Sequence, residues 1–337
     1  MKIAIDCRMS GKSGIGAFLD SMLPTFLQTE HSYLLLGLGE EKILELQKKD
    51  FYSDKRIEFL SCPIKTFSVK ELFFFPKTIL KKINACDLYF TPYCNVPSGI
   101  KVPVYSTIHD LVFLDMKGLS GKIGTLARKF FYKRAVKKSR ALFTVSNFSK
   151  QRILELLHCK KDVTVVYSGV PLYSEDYFPD GSTKKTDTVI FIGNIKKHKG
   201  LATLIPAFCE FRNRIAKEKN VFPKLLIVGS KENFRSSDRS LLLLQEDSEK
   251  NGITFTGFIP DSQLLHLISQ AKILIQPSFY EGFGVPPLQA LYAGTKAIIS
   301  DIAVFKEIYE KLPVTYFKCG DSSDLAEDRK STRLNSS

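Results

Sequence analysis

Residues 272–301, KILIQPSFYEGFGVPPLQALYAGTKAIISD, contain the strand–loop–helix–strand unit that indicates the fold. An apolar run ends at residues 276–278, a glycine-containing loop follows at 282–284, and Pro286-Pro287 suits the first turn of a helix. A second apolar run begins at residue 296. Two strands joined by a helix in this way are the repeating unit of parallel sheets, so the segment predicts an α/β protein.

The same alternation of short β-branched runs and amphipathic stretches extends along the chain. In the first half it predicts strands at Lys2–Cys7, Tyr33–Gly37, Arg56–Ser61, Asp87–Thr91, Pro103–Ile108, Ala141–Val145 and Val163–Tyr167. In the second half it predicts strands at Thr188–Ile192, Lys224–Val228, Ile253–Thr256, Lys272–Gln276, Lys296–Ser300 and Val314–Phe317. Predicted helices between them include Gly16–Gln28, Ser120–Lys138 and Phe148–Leu157.

A stretch without periodicity, residues 172–187, divides the two halves and contains the turn sequence Pro-Asp-Gly-Ser. A chain of 337 residues is longer than one core usually serves. We therefore expect two doubly wound, Rossmann-like domains, residues 1–171 and 188–327, facing each other across a cleft. Ligands of such sheets bind beyond the carboxyl ends of the strands, so functional residues should directly follow strands.

The composition is that of a globular protein, with 44% hydrophobic and 25% charged residues. No apolar run approaches the ~20 residues of a membrane-spanning helix, and Asp6 interrupts what would be the apolar part of a signal peptide, so we expect a cytoplasmic protein. Seven cysteines without a Cys-x-x-Cys pair indicate reduced thiols and no zinc site. The net charge of +14 favours a polyanionic partner, either nucleic acid, anionic lipid or a phosphate-bearing ligand.

The last ten residues, 328–337, resemble the in-frame translation of a common sequencing adapter. We expect them to be an artefactual tail and exclude them from the prediction of the fold.

Glu281 and the glycines after it indicate a ligand with both phosphate and hydroxyl groups. The free N–H groups at a helix start suit a phosphate, and glycines let the backbone approach it closely. A carboxylate beside that anion would be repelled unless it faces a neutral group such as a sugar. From these residues alone, an ordinary loop with a solvated acid remains an equal alternative.

The segment closely resembles the donor-binding stretch of the retaining glycosyltransferases of family 4, which share the two-domain GT-B fold. The resemblance implies that Glu281 hydrogen-bonds donor sugar hydroxyls, and that the backbone at Gly282, Phe283 and Gly284 approaches the sugar and diphosphate. It implies ribose binding at Gln289, where the family carries an acid. Glutamine lacks the charge, at an expected loss of about 1 kcal/mol.

A lysine-rich loop follows the first predicted strand of the second half, in the sequence Phe-Ile-Gly-Asn-Ile-Lys-Lys-His-Lys-Gly of residues 191–200. Such a loop is usually a solvated turn. Here it resembles the family's diphosphate loop, with Lys199 at the phosphate-binding lysine. Asn194 stands where many members carry arginine, so we expect a hydrogen-bonding role for it at most.

Two further candidates lie in the first half. His109 and Asp110 end a predicted strand and match the family's His-Asp pair, in which the histidine lies against the donor sugar; a strand-end histidine is otherwise often structural. The glycine stretch at 11–16 fits neither a P-loop nor a dinucleotide fingerprint. By resemblance, Gly14 and Gly16 let the backbone contact the donor phosphates or the acceptor.

Residues 117–140 carry nine basic residues and no acid. This pattern predicts a basic amphipathic helix that lies on an anionic membrane surface, with the candidate contacts Arg128, Lys129, Lys133, Arg134 and Lys137. A solvated helix packing its aromatic residues on the core is the alternative. No motif for binding nucleic acid accompanies the charge.

The resemblance covers residues 1–327 and implies a retaining transfer of a hexose, with a mild preference for GDP-mannose, from a nucleoside diphosphate sugar to a glycan or polyprenyl-linked acceptor in surface polysaccharide synthesis. His109, Glu281 and Lys199 would be the catalytic residues, and no metal or other cofactor is expected. The family normally adds terminal helices after this point, so we expect the chain as it stands to be destabilised or inactive. The alternatives are a catalytically impaired sugar-nucleotide-binding relative, a basic nucleic-acid-binding protein and an α/β dehydrogenase.

Overall fold

The computed structural model describes residues 1–49, 52–53, 55–170, 183–229 and 249–327. The chain divides into two units, residues 1–172 and 173–337, and each has its own parallel sheet. Residues 172–182 of the predicted linker lie outside the described residues. The linker prediction was too long at its end, because Thr186 already pairs with Ala271 in the second sheet.

The first unit contains a seven-stranded sheet in the order β3-β2-β1-β4-β5-β6-β7. Its strands are β1 (Lys2–Asp6), β2 (Ser32–Leu36), β3 (Ile57–Leu60), β4 (Leu88–Thr91), β5 (Val104–Thr107), β6 (Ala141–Thr144) and β7 (Val163–Val165). Its described helices are α1 (Ser13–Leu27), α2 (Glu40–Gln47), α3 (Val69–Phe73), α4 (Lys77–Ile83), α5 (Val112–Asp115), α6 (Lys122–Lys138) and α7 (Asn147–Leu157).

The second unit contains a six-stranded sheet in the order β10-β9-β8-β11-β12-β13. Its strands are β8 (Thr186–Ile192), β9 (Lys224–Val228), β10 (Ile253–Gly257), β11 (Ala271–Gln276), β12 (Lys296–Ser300) and β13 (Val314–Phe317). Its described helices are α8 (Leu201–Lys219), α9 (Asp261–Gln270), α10 (Val285–Tyr292), α11 (Ala303–Tyr309) and α12 (Ser322–Ala326), and a 3₁₀ turn spans Lys197–Lys199.

Both sheets are parallel because their central strands are apolar on both faces and are connected by helices. In the second unit β11 lies between β8 and β12, and its residues from Ala271 to Gln276 are almost wholly buried. Helix α8 covers one face of this sheet with side chains such as Leu204, Phe208 and Phe211. This arrangement places the carboxyl ends of β8 and β11 side by side.

The α/β fold with two doubly wound sheets is confirmed, and every predicted strand is present with its ends within two residues of the prediction. The predicted start of the first helix at Gly16 was wrong. Helix α1 begins at Ser13, so Gly14 and Gly16 lie in its first turn and not in a loop before it. The N–H of Gly16 already donates to the Lys12 carbonyl, which closes this turn.

Candidate functional site

Lys199 and Glu281, 82 residues apart in the sequence, form an ion pair in the second unit. Lys199 ends the 3₁₀ turn after β8, and Glu281 lies in the loop after β11. The Lys199 Nζ donates to both carboxylate oxygens of Glu281 at 2.8 Å. The two predicted site residues therefore meet at the carboxyl edge of the sheet, where ligands of such folds bind.

The two loops approach so closely that only glycine fits between them. Gly200 has a φ of +75°, and a Cβ at this position would lie 1.8 Å from the carbonyl oxygen of Pro277. Two residues away from this contact in each loop, the Phe279 N–H donates to the His198 carbonyl at 2.8 Å. This backbone contact holds Lys199 opposite Glu281.

Two polar side chains support the Glu281 carboxylate from the end of β11. The Ser278 Oγ donates to Glu281 Oε1 at 2.7 Å, and Gln276 Nε2 donates to the Ser278 Oγ at 3.1 Å and to the same carboxylate oxygen at 3.3 Å. Ser300 at the end of β12 fixes Ser278 by donating to its carbonyl at 2.5 Å. All four side chains are buried, so the carboxylate has little freedom to move.

Glu281 remains ionised although it is buried. Burial alone would raise the pKa of its carboxyl group, but the Lys199 ammonium and the Ser278 hydroxyl hold this pKa below its ordinary value of 4.5. The site therefore contains a fixed charge pair at neutral pH, with its carboxylate buried and its ammonium partly exposed.

Buried polar atoms next to this pair lack hydrogen-bond partners among the described residues. They are the Oε1 atom of Gln276 and the Nδ1 atom of His198. Burial, together with the nearby Lys199, lowers the pKa of His198 to about 4, so its ring is neutral at physiological pH. The supporting roles of Gln276, Ser278 and His198 were not predicted from the sequence. The signal that could have identified Gln276 and Ser278 is their polarity at the end of an otherwise apolar strand.

The remaining predicted residues of this unit lie on the loops that carry the ion pair or on the helix that follows. Asn194 lies in the loop after β8, and Phe283 and Gly284 lie in the loop before α10. The carbonyl of Gly284 accepts a hydrogen bond from the Tyr309 hydroxyl, which fixes the start of α10. Gln289 lies on α10 and is 4% exposed.

His109 follows β5 in the first unit and is held in one orientation. Its Nε2 lies 2.7 Å from the Pro92 carbonyl and therefore carries the ring proton, which leaves Nδ1 as an acceptor. Its ring meets Phe18 of α1 edge-on at 5.0 Å between centroids. Burial lowers the pKa of His109 to about 4, so this ring is also neutral at physiological pH. Asp110 accepts from the Val112 N–H and so caps the turn that begins α5.

Gly14 and Gly16 differ in the space that is available for a side chain. A Cβ at Gly16 would lie 2.2 Å from the Met9 carbonyl oxygen, whereas a Cβ at Gly14 would meet no atom within 4 Å. Asp20 fixes the preceding turn by accepting from the Ser10 hydroxyl at 2.6 Å and the Gly11 N–H at 2.8 Å. Gly16 is therefore needed for packing, and Gly14 leaves open space beside the helix start.

The five candidate membrane contacts on α6 differ in exposure. Lys133 and Lys137 are exposed, whereas Lys129 is half-buried. Arg128 lies 4.0 Å over the ring of Phe113, and Arg134 donates to the Val96 carbonyl and the Ser98 hydroxyl. The two arginines thus contact the unit itself. Among the described residues, no helix is long and apolar enough to cross a membrane.

The lowered pKa values of His109 and His198 predict that the protein loses stability in acid. Because the folded pKa of each lies below the ordinary value of 6.5, folding favours the neutral ring, and that contribution is complete above pH 6.5 and is lost as the pH falls towards 4. We expect a loss of up to about 3 kcal/mol per histidine. Urea unfolding across this pH range measures it. The His198→Gln variant should flatten the dependence, and His266→Gln, at an exposed position, should leave it unchanged.

Family models and curated relatives match parts of this chain. Residues 174–329 match the family Glycosyl transferases group 1, and residues 52–173 match Glycosyltransferase Family 4. The O-antigen chain mannosyltransferase B of Escherichia coli is 23% identical over 234 residues, which are 66% of this chain and 58% of that protein. The O-antigen chain mannosyltransferase RfbU of Salmonella typhimurium is 28% identical over 184 residues, 53% of this chain and 47% of that protein.

The chain thus spans about half the length of these curated relatives. Among solved structures, Anabaena Alr3699/HepE in complex with UDP-glucose superimposes with a TM-score of 0.65 at 16% identity, over 97% of this chain and 88% of that chain. At this identity the likeness shows the fold alone. The two family matches together extend from residue 52 to residue 329, one over most of the second unit and the other over most of the first, and the chain has the two-domain GT-B fold of its structural neighbours.

Proposed function

We propose that this protein is a retaining glycosyltransferase that moves a hexose from a nucleoside diphosphate sugar to a glycan or polyprenyl-linked acceptor. The observation that carries this proposal is the partly buried Lys199–Glu281 pair at the adjoining carboxyl ends of β8 and β11. The cation suits the diphosphate of such a donor, and the carboxylate suits the hydroxyl groups of its sugar.

Donor binding requires this pair to exchange partners. Both oxygens of Glu281 accept from Lys199 in the free protein, so the ammonium must turn to the diphosphate while the carboxylate takes the sugar hydroxyls. Gln276 and Ser278 keep hydrogen-bonding the carboxylate during this exchange. The buried carboxylate therefore remains ionised and ready to accept.

The chemical step depends on stabilising the leaving diphosphate. Lys199 supplies the positive charge, and the backbone N–H groups of the loop at Gly282, Phe283 and Gly284 add dipoles. In this mechanism the acceptor attacks from the side that the diphosphate leaves, no protein nucleophile takes part, and no metal ion is required. A fixed ammonium is suited to this role because the site need not reorganise as charge develops.

The other candidate residues orient the donor. His109 is neutral and offers Nδ1 as an acceptor to a sugar hydroxyl. Gln289 would bind the ribose, Asn194 would add a hydrogen bond at most, and Gly14 would let the first turn of α1 approach a phosphate or the acceptor.

Mannose is the hexose we prefer. This preference is supported by the two curated relatives named as O-antigen chain mannosyltransferases. We accordingly propose GDP-mannose as the donor and surface polysaccharide, such as lipopolysaccharide, as the product. We also propose that the reaction takes place at the cytoplasmic face of an anionic membrane, with α6 towards the lipid. Nucleic acid has no role in this proposal.

Nucleoside diphosphate binding tests the proposal. Thermal unfolding should be recorded for the protein alone and with excess GDP, UDP, ADP or NAD. A ligand present at about 100 times its Kd adds about 2.7 kcal/mol of stability, which raises the Tm measurably. We expect a rise with one nucleoside diphosphate, and GDP is the first choice. A rise with NAD alone would contradict the proposal.

A second function, that of a catalytically impaired sugar-nucleotide-binding relative, is favoured by one observation. Gln289 is buried on α10 where the resembled family carries an acid. The variant Gln289→Glu separates the two functions. A large gain in turnover would support impairment, whereas transfer by the unchanged protein would exclude it.

Ser278 is expected to be a positioning residue for Glu281. Its hydroxyl donates to Oε1, and hydrogen bonds to charged groups contribute about 1.5–3 kcal/mol, so Ser278→Ala should lower the transfer rate about tenfold or more. Loss of this donor should also raise the pKa of Glu281 and move the acidic limb of the pH–rate profile to higher pH. Ser278→Thr keeps the hydroxyl and should restore both. An unchanged rate and profile in the alanine variant would disprove this role.

A further inference from the structure

Six large apolar side chains of the first unit are exposed on two neighbouring helices. We name them the α3–α6 apolar surface; they are Val69, Phe73, Phe74, Ile123, Leu126 and Phe130. Phe74 is 72% exposed and Ile123 is 86% exposed. Monomeric proteins rarely leave such groups in water without an interaction partner.

Arg134 connects the two helices. Its guanidinium lies 5.8 Å from the centroid of the Phe73 ring and donates to the Ser98 hydroxyl, while the Ser98 N–H donates to the Leu72 carbonyl. Phe130 lies four residues before Arg134, on the same face of α6. Phe73 of α3 and Phe130 of α6 therefore lie near each other, on either side of Arg134.

A buried network holds α3 in its exposed position. Glu71, in the first turn of α3, accepts from the Arg8 guanidinium at 2.7 Å and from the Tyr93 hydroxyl at 2.5 Å, and Asn95 also donates to it. Ser68 caps the helix by accepting from the Glu71 N–H. Leu72 and Phe75 are buried while Phe73 and Phe74 point outwards, so the exposure is built into a fixed segment.

The charge around this surface is positive. Exposed lysines flank it, among them Lys70 on α3, Lys77 at the start of α4, and Lys133 and Lys137 on α6. Glu71 is the only acid between residues 59 and 86, and it is buried against Arg8; residues 116–154 contain no acid. Apolar side chains surrounded by lysines suit an anionic bilayer. The apolar side chains can contact its acyl chains, and the lysines can contact its negatively charged headgroups.

We infer that the α3–α6 apolar surface is a two-helix membrane-insertion surface, in which Phe73 at the end of α3 and Phe74 directly after it enter the acyl region beside α6. This extends the membrane association proposed above for the basic residues of α6. A second copy of the chain fits less well, because pairing this face with itself would place lysines opposite lysines. Single-stranded nucleic acid stacks on aromatic rings and would leave Val69, Ile123 and Leu126 unused.

The absence of tryptophan from the chain allows a direct test. Phe74→Trp and Leu126→Trp each introduce a single reporter, and Phe222→Trp, at a 57% exposed position of the second unit, is the matched control. Emission is recorded with vesicles of phosphatidylcholine containing one quarter phosphatidylglycerol, and with lipids brominated in the acyl chains. Thermal melts with the nucleoside diphosphates confirm that each variant is folded, and they test the proposed donor site separately.

We expect blue-shifted emission and quenching by brominated chains for Trp replacing Phe74 and Leu126, and neither effect for the control. Vesicles of phosphatidylcholine alone, or high salt, should weaken the effect because the lysines then lose their attraction. Vesicle binding without quenching at position 74, or no binding, would overturn the inference even if donor binding is intact. A concentration-dependent blue shift without lipid would assign the surface to a second copy, and a shift with oligo(dT) alone would assign it to nucleic acid; both overturn it.

Discussion

Replacing Lys199 with alanine is expected to lower the rate of sugar transfer by about 100- to 1000-fold, the loss seen when one electrostatic group of a preorganised site is removed. Two effects combine in this variant. In the proposed mechanism the leaving diphosphate loses its cation, and the Glu281 carboxylate remains buried without its ion-pair partner. The measurement is the initial rate of transfer from the donor found by thermal melts.

Lys197 provides the matched control, because it lies in the same 3₁₀ turn and is exposed. The variant Lys197→Ala should keep most of the activity. The double variant Lys199→Met with Glu281→Gln removes both charges and should unfold less readily than Lys199→Met alone, yet remain inactive. A Lys199→Ala protein that transfers sugar at the normal rate would show that the diphosphate is stabilised elsewhere.

Replacing Arg8 with methionine is expected to lower the free energy of unfolding by about 3–5 kcal/mol, the usual cost of removing one partner from a buried ion pair. Arg8 donates to Asp6 and Glu71, and all three side chains are buried. Burial raises the pKa of Glu71, and Arg8 opposes this effect. Without Arg8 the pKa of the folded protein's Glu71 should rise further, so the variant should take up a proton as it folds.

Lys82→Met is the control for this second variant, since Lys82 pairs with Glu58 at the surface. Exposed pairs contribute about 0–1 kcal/mol, so its unfolding in urea should change little. If Arg8→Met also changed stability by less than 1 kcal/mol, the buried network would not be what holds α3 in place.

The meeting of Lys199 and Glu281 was predictable from the sequence because it depends on topology. Both residues directly follow apolar runs, and parallel strands place their carboxyl ends along one edge of the sheet. The hydrogen bonds that hold the Glu281 carboxylate were not predictable in the same way. That Gln276 and Ser278 hold the carboxylate depends on side-chain directions, which local periodicity does not specify.

The first unit shows where prediction failed. Helix α1 begins three residues before the predicted start. Its first residue, Ser13, has a φ of +61°, and Gly14 follows in the first turn although glycine usually disfavours a helix. The Arg8–Glu71 pair joins residues 63 positions apart, and nothing near either one in the sequence indicates the other. Residues 72–75 are apolar throughout, yet Leu72 and Phe75 are buried while Phe73 and Phe74 are exposed, a division that composition alone does not reveal.

Calorimetric titration of GDP and UDP into the unchanged protein, Lys199→Ala and Lys197→Ala measures whether Lys199 binds the diphosphate, and it requires neither the acceptor nor turnover. We expect one nucleoside diphosphate to bind the unchanged protein and Lys197→Ala alike, and to bind Lys199→Ala at least about tenfold more weakly, the effect of losing one charge-assisted contact. Equal affinity for the unchanged protein and Lys199→Ala, or no binding of either nucleotide to the folded protein, would contradict this expectation.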